Sequence, residues 1–312
     1  MTVLLLRRKY LSMKLFSYIS AKQDKKAFIS MTSLTEKEFD ELCHVFGECW
    51  NEHTGAQDRD ERKGGRKPIL NTMEDRLFFI LFYLKTDPLQ EVLAFSFEMS
   101  QSEANRLIHL LSHILKMALQ KGNFTPPRLP DEMLARLEQE SIQDFSIDGS
   151  ERPIVRPSNH DVQEFFYSGK KRRHTVKNNL VVGLDDRQIK GLSETHEGKK
   201  HDKKICDEAG TRLPEGSNGY LDTGFQGCEM KGVNLHLPKK KPHGGELTPQ
   251  EKEENRLISS IRVIVEHVIS GIKRCRIIRD IFRNTTSGYD DEVMEIACGL
   301  HNFRSYHRRA AY

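Results

Sequence analysis

Apolar residues recur at helical spacing through the first third of the chain. Thr35 and Glu38 form a capping-box pattern, which predicts the start of a helix. The segment that follows carries apolar side chains on one helical face, at Phe39, Leu42, Val45 and Phe46. Thr72–Leu84 is apolar on several faces, which predicts a buried helix. We therefore expect an all-α region over residues 33–124.

A pair of helices joined by a short turn is predicted after Pro88. Leu89–Phe97 gives the first helix, and Ser100 begins the second, with Glu103 completing another capping-box pattern. A helix-turn-helix at about 89–115 would present polar side chains outward: Gln101, Ser102, Asn105, Arg106 and His109. Gln, Asn and Arg can contact base edges in a bidentate manner. A helical hairpin with an ordinary solvated face fits the pattern equally well.

After the proline-rich segment 125–130 and a helix predicted at Asp131–Glu140, the spacing of apolar residues changes from that of helices to that of strands. Strands are predicted at 142–147, 175–184, 188–194 and 219–221, with a short helix over 202–209. The first strand ends at Asp148 and the last at Asp222, and each acid precedes a glycine turn. A carboxylate at a strand end lies where α/β sheets bind ligands, although a single such Asp is more often a turn or cap residue.

A third acid lies on a long helix predicted from Thr248 to about Lys273. At about 100° per residue, Arg262, Glu266 and Lys273 share one stripe of this helix. The rest of the helix is so apolar that we expect it to be packed on most sides, which favours a site-lining stripe. An ordinary Arg–Glu pair at i,i+4 would explain the same spacing.

Three separated carboxylates suit phosphodiester cleavage assisted by divalent metal ions. Oxygen ligands are those that Mg²⁺ prefers, and two ions can act on the attacking and leaving oxygens. The candidate catalytic and metal-binding residues are therefore Asp148, Asp222 and Glu266, with two Mg²⁺ ions, or Mn²⁺ in their place.

Charge is distributed in patches, which matters more than the net charge of +4. Residues 1–32 are either a basic arm or translated upstream sequence without native structure, because Met13 or Met31 could replace Met1 as the translation start. Lys170–Arg173 is either a DNA-contacting loop or a solvated charge run. The six cysteines contain no Cys-x-x-Cys pair, which argues against a zinc site and a disulfide framework. We expect a cytoplasmic protein without a membrane span.

Several strings of residues, taken in order, resemble the bacterial insertion-sequence transposases of the DDE superfamily, in the insertion-sequence-five group. The resemblance runs from about Ser33 to the C-terminus. It rests on Gly64–Pro68, the helix-turn-helix, Asp148–Arg152, Tyr167–Lys171, His201–Asp202, Asp222–Gly227 and the spacing of Arg262, Glu266 and Lys273. Ser259 departs from the pattern, because related groups have a tyrosine at that position.

The resemblance implies an α/β fold with an RNase H-like core over 125–312, behind the helix-turn-helix, with an insertion at about 228–247. It implies that Asp148, Asp222 and Glu266 are the acidic triad, and that Arg262 and Lys273 hold DNA phosphates. Gln101, Asn105, Arg106, Lys170 and Lys171 are the other candidate DNA-binding residues. His201 and Asp202 are left outside the catalytic set, because Asp202 fits a helix N-cap at least as well.

Three functions remain open at this stage. The leading one is a transposase that binds terminal inverted repeats, cleaves DNA and joins the 3′-hydroxyl end to target DNA. Such an enzyme would bind double-stranded DNA as a homo-oligomer and associate with the nucleoid. The alternatives are a catalytically silent, transposase-derived DNA-binding regulator and an RNase H-like nuclease without joining activity.

Overall fold

The computed structural model describes residues 16–55, 68–242 and 244–309, which divide into two compact units. The first unit comprises Met1–Asn123 with Cys275–Ile277, and the second comprises Phe124–Arg274 with Ile278–Tyr312. Met1, Met13 and most of the Gly64–Pro68 string lie outside the described residues. None of the described helices is both long enough and apolar enough to span a membrane.

The described part of the first unit is helical. Its helices are α1 (Tyr18–Lys22), α2 (Lys25–Thr32), α3 (Glu36–Thr54), α4 (Met73–Thr86), α5 (Gln90–Ser96) and α6 (Gln101–Lys121). The predicted capping box is present, because the Thr35 and Glu38 side chains each accept a hydrogen bond from the other residue's backbone N–H. The described part of the predicted basic arm, residues 16–32, forms α1 and α2, and Phe28 is fully buried.

The predicted helix-turn-helix corresponds to α5, a short connection and α6. Ser100 caps α6 by accepting a hydrogen bond from the Glu103 N–H at 3.2 Å. The second capping box is only half formed, which corrects the prediction. The Glu103 carboxylate binds the Arg106 guanidinium instead, at 2.6 and 2.9 Å. A charge-assisted bidentate pair is a stronger partner for this carboxylate than a single backbone N–H.

The second unit is built on a seven-stranded mixed sheet. Its strands are β1 (Asp144–Pro153), β2 (Tyr167–Ser168), β3 (Arg173–Gly183), β4 (Ile189–Leu192), β5 (His196–Glu197), β6 (Asn218–Leu221) and β7 (Asn234–His236). The order is β2-β3-β1-β6-β7, with β4 and β5 also paired to β3. β1 is antiparallel to β3 and parallel to β6, and β7 lies within the predicted insertion and is parallel to β6.

Helices cover this sheet and give the unit its core. They are α7 (Pro130–Glu140), α8 (His160–Phe166), α9 (Asp202–Glu208), α10 (Pro249–Ile272) and α12 (Tyr289–Arg309), with α11 (Arg276–Arg279) divided between the units. Phe145 and Ile147 of β1 pack in one apolar cluster with Leu137 of α7 and Cys206 of α9. The predicted fold class is confirmed: a mixed sheet flanked by helices follows an all-α region.

Two local expectations in the second unit are wrong. β1 does not end at Ile147, because its antiparallel pairing with β3 continues to Pro153. Helix α10 is not packed on most sides: Leu257 is 59% exposed and Val263 is 47% exposed. Its buried side chains form a single face, at Ile258, Val265, Val268, Ile269 and Ile272. The helix is therefore amphipathic in its contacts despite its apolar composition.

Candidate active site

The two predicted strand-end acids lie beside each other on the sheet. The parallel pairing of β1 with β6 ends at Ile147 opposite Leu221, so Asp148 and Asp222 are the next residues of their strands. The Gly149 N–H donates to Asp148 Oδ1 at 2.8 Å. The Thr223 N–H donates to Asp222 Oδ1 at 2.6 Å, which makes Asp222 the cap of a short 3₁₀ turn over Thr223–Phe225. Backbone bonds therefore hold one oxygen of each carboxylate.

The pKa of Asp148 is raised to about 6, mainly by burial, and the negative charges of Asp222 and Asp202 contribute to the increase. The Gly149 N–H and the Arg262 guanidinium oppose this shift. Burial disfavours the charged form of a carboxylate, and nearby like charges add to that effect. Asp148 thus belongs to a group of three carboxylates in which negative charge is costly, and a bound cation would relieve that cost.

Helix α10 brings Arg262 to these carboxylates. Arg262 Nη1 lies 3.3 Å from Asp222 Oδ1. Glu266 follows one turn later and is exposed. Within residues 16–55, 68–242 and 244–309, no three His, Cys, Asp or Glu side chains converge closely enough to hold a metal ion. The structure thus brings Asp148 and Asp222 together with Arg262, and leaves Glu266 on the neighbouring turn.

Lys273 lies at the end of α10, on the stripe that the sequence predicted. It is half-buried, and burial lowers its pKa, as does the positive charge of Lys171. The charges of Asp148 and Glu151 act in the opposite direction. Lys273 is therefore near enough to both Lys171 and Asp148 for their charges to interact with its own. Lys170 and Lys171 are exposed in the turn between β2 and β3.

Asp202, which the prediction left outside the site, belongs to this cluster. The cap of α9 is His201, which makes no side-chain capping bond, and Asp202 is the first residue of the helix itself. Asp202 Oδ1 faces Lys177 Nζ at 3.1 Å without a well-directed hydrogen bond. The N-cap explanation for Asp202 is therefore wrong, and its carboxylate is directed toward the site instead.

Two glycines make room for the Asp202 carboxylate. A Cβ at Gly149 would lie 2.6 Å from Asp202 Oδ1, and a Cβ at Gly224 would lie 2.9 Å from Asp202 Oδ2. Gly149 directly follows Asp148, and Gly224 lies two residues after Asp222. Both acid motifs therefore lie against the Asp202 carboxylate. In the sequence, the glycine after each predicted acid and the His201–Asp202 string were the features that could have predicted the contact of Asp202 with the two acid motifs.

The residue types of the cluster are those that bind divalent cations, although among the described residues no three of them converge on one point. Asp148, Asp222 and Asp202 present carboxylate oxygens, and Asp202 Oδ1 is a buried oxygen without a hydrogen-bond donor among the described residues. Carboxylate oxygens are the usual protein ligands of Mg²⁺, which keeps water or phosphate oxygens in its other positions.

The candidate base-reading residues of α6 lie on one outward face of the first unit. Gln101 Nε2 and Asn105 Nδ2 both donate to Gln90 Oε1, at 2.6 and 3.1 Å. Arg106 is held by Glu103. Gln101 and Arg106 are exposed, and Asn105 is half-buried. The helix-turn-helix therefore presents the predicted side chains, and each of them already has a partner within the motif.

Two protein families match parts of the chain, one in each unit. Residues 147–302 match the DDE superfamily endonuclease family, and residues 70–121 match the helix-turn-helix of DDE superfamily endonucleases. The chain is 28% identical over 273 residues to a protein described as a transposase for insertion sequence element IS702 in Microchaete diplosiphon. That alignment covers 86% of this chain and 95% of the relative.

A second relative is described as a transposase for insertion sequence element IS112 in Streptomyces albus G. It is 26% identical over 221 residues, which cover 70% of this chain and 75% of the relative. No solved structure matches the chain significantly. The narrower assignment to the insertion-sequence-five group stays a prediction. The matched core and helix-turn-helix show that the chain belongs to the DDE superfamily of endonucleases found in insertion-sequence transposases.

Proposed function

We propose that this protein binds the terminal inverted repeats of its insertion sequence, cleaves a DNA strand and joins the freed 3′-hydroxyl to target DNA. The observation that carries the proposal is that Asp148 and Asp222 each directly follow the last paired residue of β1 and β6, with Arg262 Nη1 of α10 3.3 Å from Asp222 Oδ1. Carboxylates beside cationic groups suit a reaction on a phosphodiester, which needs both metal ligands and phosphate contacts.

Asp148, Asp222 and Glu266 would hold the divalent ions, which we take to be two Mg²⁺, with Mn²⁺ able to replace them. When bound, these ions supply Lewis-acid stabilisation of the attacking and leaving oxygens. Glu266 is one turn from Arg262 on α10, so a shift of this exposed side chain toward Asp222 would complete the set. Asp202, which faces Lys177 at 3.1 Å, adds a fourth carboxylate whose charge acts on Asp148.

The cations of the site would position the DNA backbone. Lys273, whose charge interacts with those of Asp148 and Lys171, can hold a phosphate on one side of the scissile bond together with Lys171. Arg262 contacts Asp222 and can hold a phosphate while it orients that carboxylate. Lys170, exposed in the same turn as Lys171, would extend the contact along the strand. Such fixed charges act at the site without reorganisation during the reaction.

The first unit would supply recognition of the element's ends. Gln101, Asn105 and Arg106 lie on the outward face of α6, where a recognition helix contacts base edges in the major groove. Contact with DNA requires Arg106 to exchange Glu103 for a base or phosphate. We further propose that the protein acts in the cytoplasm, associates with the nucleoid through DNA, and forms a homo-oligomer, since two DNA ends must be brought together.

The test compares strand cleavage with end binding for Asp148→Ala, Asp222→Ala and Glu266→Ala. Each variant should lose cleavage and joining in Mg²⁺ or Mn²⁺ and keep binding to the element's ends in a mobility-shift assay. EDTA should abolish wild-type cleavage in the same way. Full activity in any one variant removes that residue from the site.

The same assays separate the two alternative functions. A catalytically silent regulator would bind the ends with no metal-dependent cleavage by the wild-type chain. A nuclease without joining activity would release cut ends that never appear in target DNA. Asp202→Asn serves as an additional variant, because a role in the site predicts reduced cleavage with a preserved fold.

A further inference from the structure

A second concentration of positive charge lies on another face of α10, within the second unit. A cavity of about 630 Å³ lies between α10, the C-terminal half of α12 and the turn that joins β3 to β4. Five arginines line it: Arg187, Arg274, Arg304, Arg308 and Arg309. The active-site stripe of Arg262, Glu266 and Lys273 does not contribute to this lining, so the cavity is a separate feature.

Close packing of the two helices forms the inner wall of the cavity. A Cβ at Gly271 would lie 2.3 Å from His301 Nδ1, so glycine is required for α12 to approach α10. His301 Nε2 lies 3.0 Å from the backbone oxygen of Arg187, and Arg304 Nη2 donates to the Gly271 oxygen at 2.9 Å. These contacts join α10, α12 and the β3–β4 turn, so the backbone segments that carry the arginines are held together.

Three of the arginines lie close enough to His301 for their charges to lower its pKa. The pKa of His301 is lowered to about 4, mainly by burial, and the charges of Arg304, Arg308 and Arg274 contribute to the decrease. His301 is therefore neutral at neutral pH, and it adds no charge to the cavity. Three guanidinium groups act on the same imidazole, which is the arrangement expected of a binding site for an anion.

Acidic residues offset only part of this charge. Asp186 is buried and ion-paired with Lys190, and it lies 3.9 Å from Arg309. Asp185 also lines the cavity and is exposed. In the described part of the chain, Arg187 and Arg308 are exposed and have no carboxylate within ion-pairing distance. Five arginines against two acids leave the cavity positive, with two guanidinium groups available at its rim.

We propose that this cavity binds the phosphodiester backbone of duplex DNA at a distance from the scissile bond. The proposal rests on the proposed function, which places DNA along the neighbouring face of α10. Helix α10 extends from Glu266 to Ile272 over roughly 9 Å, at about 1.5 Å of rise per residue, and Arg274 lies two residues beyond its end. That distance corresponds to about three steps of a duplex at ~3.4 Å each. Guanidinium groups bind phosphate oxygens in a bidentate manner, so the cavity suits phosphates further along the same DNA.

The test measures binding of a labelled duplex to the full chain in EDTA, where no cleavage occurs, as a function of salt. The variant Arg187→Gln with Arg308→Gln removes the two rim charges and leaves the buried Arg304 in place. The matched control, Arg212→Gln with Lys231→Gln, removes the same charge from exposed residues of another groove of this unit. Far-UV circular dichroism and melting temperature verify that both double variants fold.

The arginine variant should reduce the slope of log K against log salt by about 1–2, because each phosphate contact contributes about 0.9. Its dissociation constant at low salt should rise about tenfold or more, and that of the control should change much less. Arg187→Lys with Arg308→Lys should recover most of the slope.

Equal slopes for the arginine variant and the control would overturn the role of the cavity, while leaving the proposed function intact. A wild-type chain that binds no duplex would overturn both. If inorganic phosphate stabilises the wild type but not the arginine variant, and duplex binding is unaffected, the cavity holds a small anion and the proposal is wrong.

Discussion

The polar faces of α6 and α10 have similar sequence patterns but different surroundings. On α6, Arg106 binds Glu103 three residues earlier, and Asn105 binds Gln90 in the preceding helix. On α10, Arg262 binds Asp222, which follows a strand of the sheet. The partners on α6 come from the same helix-turn-helix, whereas the partner on α10 comes from a distant segment of the chain.

This difference shows how a functional face can be distinguished from an ordinary solvated one. Pairs within a motif are worth little, about 0.3–0.5 kcal/mol for an exposed ion pair on a helix, so DNA can displace them at low cost. A charge that reaches a partly buried carboxylate on another element is part of a fixed arrangement. We therefore expect substitutions on α10 to affect chemistry and substitutions on α6 to affect binding.

The largest effect that separates the two faces is expected from Arg262→Gln. The change removes the charge beside Asp222 and a candidate phosphate contact, and single-turnover cleavage in Mg²⁺ should fall about a hundredfold. Loss of one preorganised donor in other enzymes costs about 10²–10³ in rate. Binding to the element's ends should remain within about threefold, because recognition is assigned to α6.

Arg256→Gln is the matched control on the same helix. Arg256 is exposed and lies 3.8 Å from Glu253, an equally exposed partner. Its replacement removes the same charge and should leave cleavage unchanged. Equal losses of cleavage in the two variants would mean that α10 acts through its overall charge and that the Arg262–Asp222 contact has no specific role.

Substitutions on α6 are expected to have the next largest effect. Asn105→Ala and Arg106→Ala should each weaken binding to the element's ends by about 1–3 kcal/mol if the contact to a base is bidentate. Binding to random duplex should fall less. Competition mobility-shift assays measure both affinities, and Ser102→Ala provides an exposed control on the same helix.

Glu103→Gln sharpens this prediction, because it removes the carboxylate that holds Arg106 in the free protein. End binding by this variant should be as tight as in the wild type or tighter. If Asn105→Ala and Arg106→Ala both retain the wild-type preference for the ends, α6 is a structural helix and recognition lies in another part of the chain.

Lys273→Gln should reduce strand cleavage or joining about tenfold or more, through loss of one phosphate contact. The side chain is half-buried, and Gln keeps part of its apolar stem and its helix propensity. Circular dichroism and the melting temperature should therefore stay normal. Lys252→Gln removes an exposed lysine of the same helix as a control. If both cleavage and the melting temperature are unchanged, Lys273 is a solvated lysine with no role in the reaction.

Local structure was the part of this protein that its sequence predicted best. The starts of α3, α4 and α10 follow from Thr35, Thr72 and Thr248, each of which accepts a hydrogen bond from the backbone N–H three residues later. Such caps depend on neighbouring residues only. The stripe of Arg262, Glu266 and Lys273 was predicted for the same reason, because helical geometry fixes it.

Long-range contacts were predicted less well. The contact of Asp202 with the backbone at Gly149 and Gly224 joins three segments that are distant in the chain, and no local pattern specifies it. The antiparallel pairing that extends β1 beyond Ile147 depends on β3. The exposure of Leu257 and Val263 depends on which face of α10 meets the sheet, and composition does not specify that face.

The smallest expected effect concerns the stability of the second unit, and it tests the carboxylate cluster without relying on activity. The pKa of Asp148 is about 6 in the folded protein, above its ordinary value of 3.8. The folded state therefore binds more protons than the unfolded state between these values, so stability falls as the pH rises from about 4 to about 6. Above that window the full penalty of the charged carboxylate is present.

Asp148→Asn removes this charge and keeps an oxygen that can accept from the Gly149 N–H. In EDTA at pH 7.5 the variant should be more stable than the wild type by on the order of 1–3 kcal/mol, since the shift is about two pKa units and one unit corresponds to about 1.4 kcal/mol. The melting temperature should rise by about 2–12 °C at that pH. Near pH 4 the wild type and the variant should have the same melting temperature, because Asp148 is then protonated in the folded state. Glu132→Gln, at an exposed acid on α7, should give no such pH-dependent difference. A lower melting temperature for Asp148→Asn at pH 7.5 would mean that Arg262 already compensates the cluster and that it has no excess negative charge to offer a cation.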